Sequence, residues 1–377
     1  MKHGVKRALP VALAFILGMS GMIPAVGIGA NQTLDEAALQ AAETVVGLQP
    51  SNGKASDGDT DAMPISSPQV ITGEPEPIVP PPARPLRVAL DWYLTPYHAA
   101  LVVARERDLF KQAGLDVTLI QPADPTVPPK LVAAQHVELA LTSQPRLHLL
   151  EDQGLPLIRV GTLVPAPLAT LLVRQDASLD SLAQIKGKKV GYVFKMPAQL
   201  LLDGLLDKHA LTARDVDLQR IDFGLNTTLA DGDVDAVIGA LRHVTSRQLE
   251  EAGVRVIEFP LTETDLPIYD ELIVVANRDV LQQHRRDIRY FLDALEQATL
   301  WLINHPEAAW ELVRTAEPSL DTEANAKAWP DAIRYLALRP AAVQMQRYQR
   351  LETYLLQQGL IEHRTPANRL ATDVTRP

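Results

Sequence analysis

Leu90-Asp91-Trp92-Tyr93-Leu94-Thr95-Pro96-Tyr97-His98 is the stretch on which the reading of this chain turns. It follows an apolar run, 86–90, with the composition of a short buried strand, and it precedes a helical pattern that starts near Ala99. A strand that stops at an acid, three aromatics, a proline and a histidine is not continuing as core. In an open α/β sheet, ligands bind outside the carboxyl ends of the strands, where the chain turns into the next helix. The nine residues therefore predict an α/β fold and mark one part of a ligand site.

Working outward, the pattern alternates. After the strand at 86–90 come a helix at 99–113 stopped by Gly114, a strand at 116–121, a helix at 128–134, a strand at 138–142, a helix at 145–153 and a strand at 157–163. The rhythm restarts after Arg174, with helices at 179–185, 199–209 and 226–231 and strands at 190–193, 217–222 and 236–239. A strand at 271–276 and a long helical region, 287–359, complete it. Repeated βαβ units imply mostly parallel sheets with helices on their faces. Two such units in series imply two lobes: 86–173 with 275–365, and 174–274, followed by a tail at 366–377. The strands at 168–174 and 271–275 are the expected crossings. A cleft between lobes is the default place for a small molecule, and hinge closure is its usual motion.

The ends and the composition narrow the class. Lys2, Lys6 and Arg7 precede an apolar stretch, Gly18, Gly21 and Pro24 break it, and small residues follow, which is the layout of a secretory signal peptide over 1–30. Residues 8–30 are uncharged and just long enough to span a bilayer, so an uncleaved anchor is the alternative. Residues 31–85 read as a disordered, proline-rich linker that ends in Pro80-Pro81-Pro82-Ala83-Arg84-Pro85. The 377 residues contain no cysteine, which excludes disulfides, thiolate metal sites and the lipid anchor of bacterial lipoproteins. An exported, periplasmic protein of a two-membrane cell is expected. The net charge of −10 argues against nucleic acid as a partner. No His-x-x-x-His pair and no Gly-x-Ser-x-Gly motif is present, so neither a metal nor a cofactor is expected.

Several further pieces carry a resemblance. They are Gly114-Leu115-Asp116-Val117, Pro122-Ala123-Asp124-Pro125, Lys130-Leu131-Val132-Ala133-Ala134, the segment 182–192 containing Lys186-Gly187-Lys188-Lys189-Val190-Gly191-Tyr192, the segment 229–240, and Pro267-Ile268-Tyr269-Asp270-Glu271-Leu272. With 90–98, their order and spacing resemble those of the bacterial formylaminopyrimidine-binding proteins and the related fungal pyrimidine synthases of thiamine biosynthesis. The resemblance implies a two-lobed type II periplasmic binding protein with two hinge crossings. It also implies a flat aminopyrimidine ligand, delivery to an ABC permease in the inner membrane, and a monomer.

The residues suit such a ligand. Trp92, Tyr93 and Tyr97 offer flat faces for a ring. Asp91 can accept hydrogen bonds from an exocyclic amine. His98 stands where a helix N-terminus would face the cleft, and Ser143 and Gln144 end a strand with nothing apolar to do there. Tyr192 and Tyr269 would approach from the second lobe and its crossing. Thr245 stands where many relatives carry an acid, with Arg242 and His243 beside it. Each has a plain structural alternative: Asp91 and His98 as caps, Trp92 as core, Tyr192 as a packing residue in a turn. The synthases supply the competing enzyme reading. Thr142 matches their cofactor lysine, Arg146 lies near the position of their substrate histidine, and 266–270 replaces a cysteine-rich motif with no cysteine. A threonine cannot form a Schiff base, so no enzyme is expected. A binding protein turned ligand sensor is the remaining alternative.

Overall fold

The computed structural model describes residues 82–376, apart from 178, 180, 262 and 263. The expected signal segment and residues 31–81 of the expected linker lie outside the described residues. Among the described residues ten strands form two five-stranded sheets. The strands are β1 (Arg84–Ala89), β2 (Leu115–Ile120), β3 (Leu139–Thr142), β4 (Leu157–Val164), β5 (Ala169–Arg174), β6 (Lys189–Tyr192), β7 (Asp217–Arg220), β8 (Ala236–Leu241), β9 (Val256–Pro260) and β10 (Leu272–Asn277). The first sheet has the order β2-β1-β3-β10-β4 and the second β7-β6-β8-β5-β9. The chain is thus a two-lobed α/β protein.

Each sheet is half parallel. β1 pairs in parallel with β2 and β3, and β6 with β7 and β8. The remaining pairs are antiparallel, because each sheet receives one strand directly from the other: β5 enters the second and β10 returns to the first. The sequence reading assigned 168–173 to the first lobe, but pairing puts all of β5 in the second sheet. The chain passes between sheets at 165–168 and again at 266–271. β1 also begins inside the expected linker, since Arg84 and Pro85 already pair with Leu115 and Asp116.

Alternation along the strands explains why each sheet is covered on both faces. Leu86, Val88 and Leu90 point into one cluster and Ala89 into another. In the second sheet Leu171 and Val173 face one cluster and Leu172 the other. The helices that matter for the site are α1 (Ala99–Glu106), α2 (Gln144–Asp152), α3 (Lys195–Leu206), α4 (Thr245–Glu251), α5 (Leu281–Asn304), α6 (Glu323–Ala332) and α7 (Met345–Gln357). The expected helix at 99–113 breaks after α1, where Asp108 takes a left-handed conformation at φ 55°. The helix expected at 179–185 is only the single turn Leu182–Gln184. β9 was not anticipated. It is a half-buried strand that pairs, among the described residues, only with β5 and ends in a proline, as sheet edges tolerate.

The C-terminal helices do more than cover the first sheet. α7 packs Tyr348 into the first sheet's core and Leu351 and Leu355 into the second's. The stretch 366–377, expected as a tail, is packed as far as Val374. Leu370 and Ala371 are buried, and the fully buried Arg159 donates to the carbonyls of Pro340, Ala341, Ala342 and Thr372. A buried guanidinium needs many acceptors; Thr162 Oγ1 supplies one from the same strand, and the returning chain supplies these four.

Candidate functional site

The carboxyl ends of the parallel strands in both sheets border one cavity of about 140 Å³, room for on the order of ten waters. From the first sheet come the turn after β1 and the β3–α2 junction. From the second come the β6–α3 turn and the end of β8. The crossings close it with Val164, Leu168, Ala169, Tyr269, Glu271 and Leu272. Gly239 sits in the wall at φ 90°, skipped by the pairing between β5 and β8, so its bulge needs a residue without a Cβ.

The turn after β1 is built around His98. The backbone N–H of Thr95 donates to His98 Nδ1 at 3.1 Å, with the Thr95 hydroxyl 3.0 Å from the same nitrogen. Nδ1 is therefore an acceptor, and the ring proton is on Nε2. That proton is donated to Asp91 Oδ1 at 3.0 Å. His98 is buried, whereas Asp91 lines the cavity, and its other oxygen makes no hydrogen bond among the described residues. A histidine locked in one tautomer thus holds a carboxylate with one free acceptor toward the cavity. Trp92 flanks it, its ring 5.4 Å from Tyr93 and 4.5 Å from Phe223, which comes from the second lobe. Tyr97 spends its hydroxyl on the carbonyl of Arg242 at 2.7 Å, so only its ring is offered to the cavity. Burial pushes that hydroxyl far above the usual tyrosine range.

Eight of the ten expected residues line the cavity: Asp91, Trp92, Tyr93, Tyr97, His98, Ser143, Thr245 and Tyr269. Gln144 and Tyr192 do not. Gln144 is fully buried, its Oε1 accepts from the Asp270 N–H at 2.9 Å, and its Nε2 faces His148 at 3.3 Å. It clamps α2 to the second crossing. Tyr192 is the last residue of β6 and packs against the second sheet's core. The helix expected at 199 starts at Lys195, which makes Phe194 its N-cap and brings Val193 and Phe194 to the wall instead. Thr245 lines the cavity, but its Oγ1 already accepts from the Leu241 N–H at 3.1 Å. Arg242 and His243 stay outside it.

Two charged residues were missed as wall residues. Arg146 sits in the first turn of α2, 7% exposed, with its guanidinium 4.1 Å over the Phe194 ring. Burial pushes it down to about 10, against the attraction of Asp91 and Asp124. Nothing in the sequence singled it out, because the same helix also carries Gln144, His148, Glu151 and Asp152. Glu271 stands half-buried at the second crossing. Its Oε2 accepts from Leu168 N–H at 2.7 Å, Ala169 N–H at 2.9 Å and the Tyr269 hydroxyl at 3.3 Å. One carboxylate thus ties both crossings together.

Burial raises the Glu271 carboxyl above its ordinary range, the two backbone N–H groups oppose the shift, and Asp91 adds to it. In acid, Glu271 is protonated in both folded and unfolded chains. As pH rises the unfolded chain ionises first, so stability is lost until the pH passes the raised folded value. Glu271→Gln removes that loss. The variant's melting temperature relative to wild type is expected to be higher near neutral pH than at about pH 4. Melting curves of both proteins across pH check this, and parallel pH profiles would exclude it.

Residues 95–309 match the family described as NMT1/THI5 like. A protein of Haemophilus influenzae named for thiamine biosynthesis is 41% identical over 277 residues, 73% of this chain and 88% of its own. The formylaminopyrimidine-binding protein of Halalkalibacterium halodurans is 28% identical over 61% of this chain and 70% of its own. More distant relatives are named 4-amino-5-hydroxymethyl-2-methylpyrimidine phosphate synthases; that of Aspergillus parasiticus is 25% identical over 66% of this chain and 75% of its own. Among solved structures, the alkanesulfonate-binding protein SsuA of Xanthomonas axonopodis superposes with a TM-score of 0.65 at 16% identity, covering 78% of this chain and 99% of its own. The fold is therefore that of the periplasmic binding proteins, and with the family match spanning more than half of its length the chain belongs to the NMT1/THI5-like family.

Proposed function

We propose that this protein captures an aminopyrimidine precursor of thiamine, or a close heterocycle, for uptake by an ABC permease. The observation that carries this reading is the free oxygen of Asp91, held by His98 beside the ring of Trp92 in a cavity between the two lobes. A carboxylate acceptor next to a flat aromatic wall matches a planar ring with an exocyclic amine. The name of the Halalkalibacterium relative supports the ligand class, and the fold supports the capture role. The reading includes export to the periplasm, a monomer, and lobes that hinge at the two crossings. Tyr97 to Arg242, Trp92 to Phe223 and Arg146 to Phe194 are the contacts that closure makes.

No chemical step belongs to this reading. Pyridoxal phosphate, which the fungal resemblance brings with it, does not fit: the wall residue at the lysine position is Thr142, which has no amine. Among the described residues no group of three or more His, Asp and Glu is placed to hold a metal.

The test is a thermal-shift series with formylaminomethyl- and hydroxymethyl-aminopyrimidines. A ligand at a hundred times its Kd adds about 2.7 kcal/mol, or about 5 °C for a domain of this size. A shift from aliphatic sulfonates with none from any pyrimidine would sink the ligand class. Pyridoxal absorbance in the purified protein would sink the claim that it does no chemistry.

A further inference from the structure

The cavity wall carries a second polar group that the pyrimidine reading does not use. It lies where β3 runs into α2. Thr142 ends β3 in the cavity wall, and its hydroxyl is buried without a hydrogen-bond partner. Ser143 is the N-cap of α2 and lines the cavity, yet its side chain makes no capping bond. Arg146 follows in the first turn of the same nine-residue helix. Its Nη1 donates to the Pro125 carbonyl at 2.8 Å, and among the described residues no carboxylate forms an ion pair with it. Phe194 covers one face of the guanidinium and so leaves its donor edge as the working side. A desolvated cation, two hydroxyls free to donate and the positive end of a helix converge on one wall.

We infer that Thr142, Ser143 and Arg146 form an oxyanion subsite, and that the ligand is a ring amine bearing an acidic oxygen substituent, a phosphate monoester or a carboxylate. The ring and the amine rest on the pyrimidine reading; the subsite does not. A neutral hydroxyl would satisfy one donor and bring no charge to the guanidinium, which Asp91 and Asp124 reach only through space, whereas an oxyanion accepts from the fork and the hydroxyls together. Burial holds the Arg146 guanidinium down at about 10, and an anion would reverse that cost. The same charges fix the orientation. Asp91 and Glu271 repel an acid and Arg146 attracts it, so the amine lies at Asp91 and the acid at the start of α2.

The experiment is calorimetric titration of the full chain, as wild type, Arg146→Gln and Thr142→Val, with four probes. They are 4-amino-5-hydroxymethyl-2-methylpyrimidine, its phosphate monoester, the corresponding 5-carboxylate, and phenyl phosphate. At least one pyrimidine acid is expected to bind wild type about tenfold or more tightly than the alcohol. Arg146→Gln should close that gap to within about twofold, and Thr142→Val should narrow it. The better acid identifies the substituent. Acids no tighter than the alcohol, or a gap that survives in Arg146→Gln, overturns the subsite and leaves the pyrimidine reading standing. Arg146-dependent binding of phenyl phosphate with no pyrimidine bound does the reverse. Binding of none of the four overturns both.

Discussion

Replacing Trp92 by alanine is expected to weaken capture of an aminopyrimidine on the order of a hundredfold while the protein still folds. The ring belongs to none of the buried apolar clusters. It is half-buried, stands at the cavity wall, and meets Phe223 of the second lobe at 4.5 Å. Truncation therefore removes two contributions to the closed, ligand-bound state. Stacking of a ring on an aromatic side chain is worth about 1–3 kcal/mol, and the aromatic pair across the cleft about 0.5–1.5 kcal/mol. Titration calorimetry reads the loss of affinity, and a circular-dichroism melt should show a fall of no more than a few degrees. Trp92→Phe should recover part of the binding. An affinity within threefold of wild type would remove the ring from the site, and failure to fold would make it core.

The turn at 90–98 was legible because its residues contradict their surroundings. A buried parallel strand ends in apolar residues, and this one runs into Asp91, Trp92 and Tyr93 instead. The βαβ order was legible for the same reason: alternating Leu86, Val88 and Leu90 against Ala89 is a local signal that packing then uses. What sequence left out depends on where one end of a segment is carried by the rest of the fold. β5 reads as an ordinary apolar strand, and nothing in Ala169–Arg174 says which sheet it joins. The antiparallel halves of both sheets follow from that choice. β9 is a short edge strand of Val256, Ile257, Glu258, Phe259 and Pro260, and its terminal proline argues against a strand when only the sequence is read.

The site follows the same division. Asp91 and His98 are seven residues apart in one turn, so their partnership is local and readable. Glu271 meets Leu168 and Ala169 about a hundred positions away, and only the two crossings bring them together. Phe194 was hidden by a boundary. With Pro197 inside the first turn of α3, where proline is tolerated, the helix starts four residues before the expected 199. Gln144 erred the other way. A polar residue at a strand's carboxyl end looked free for ligand, yet the backbone of Asp270, bonded to it through both N–H and C=O, takes up the position.

Asp91→Asn is expected to cost more than Trp92→Ala, about a thousandfold in affinity, although it changes one atom. The reason lies in the order of the hydrogen bonds. Thr95 N–H fixes Nδ1 of His98 as an acceptor, so Nε2 must donate, and it donates to Asp91 Oδ1. An asparagine there has to turn its own oxygen toward His98. Its NH₂ group then faces the cavity in place of the free carboxylate oxygen, and a donor meets the donor of the ligand's amine. A hydrogen bond to a charged group is worth about 1.5–3 kcal/mol, and the unpaired donors left behind add about 1–3 kcal/mol. A site built to bond a polar group rejects a mismatch on this scale. The discriminating measurement is a double-mutant cycle with the same pyrimidine lacking its exocyclic amine. Wild type should bind that analogue far more weakly than the parent, and Asp91→Asn should bind the two alike. If the variant still prefers the amine, Asp91 is only the anchor of His98, and the amine is read elsewhere on the wall, with Glu271 the next carboxylate in line.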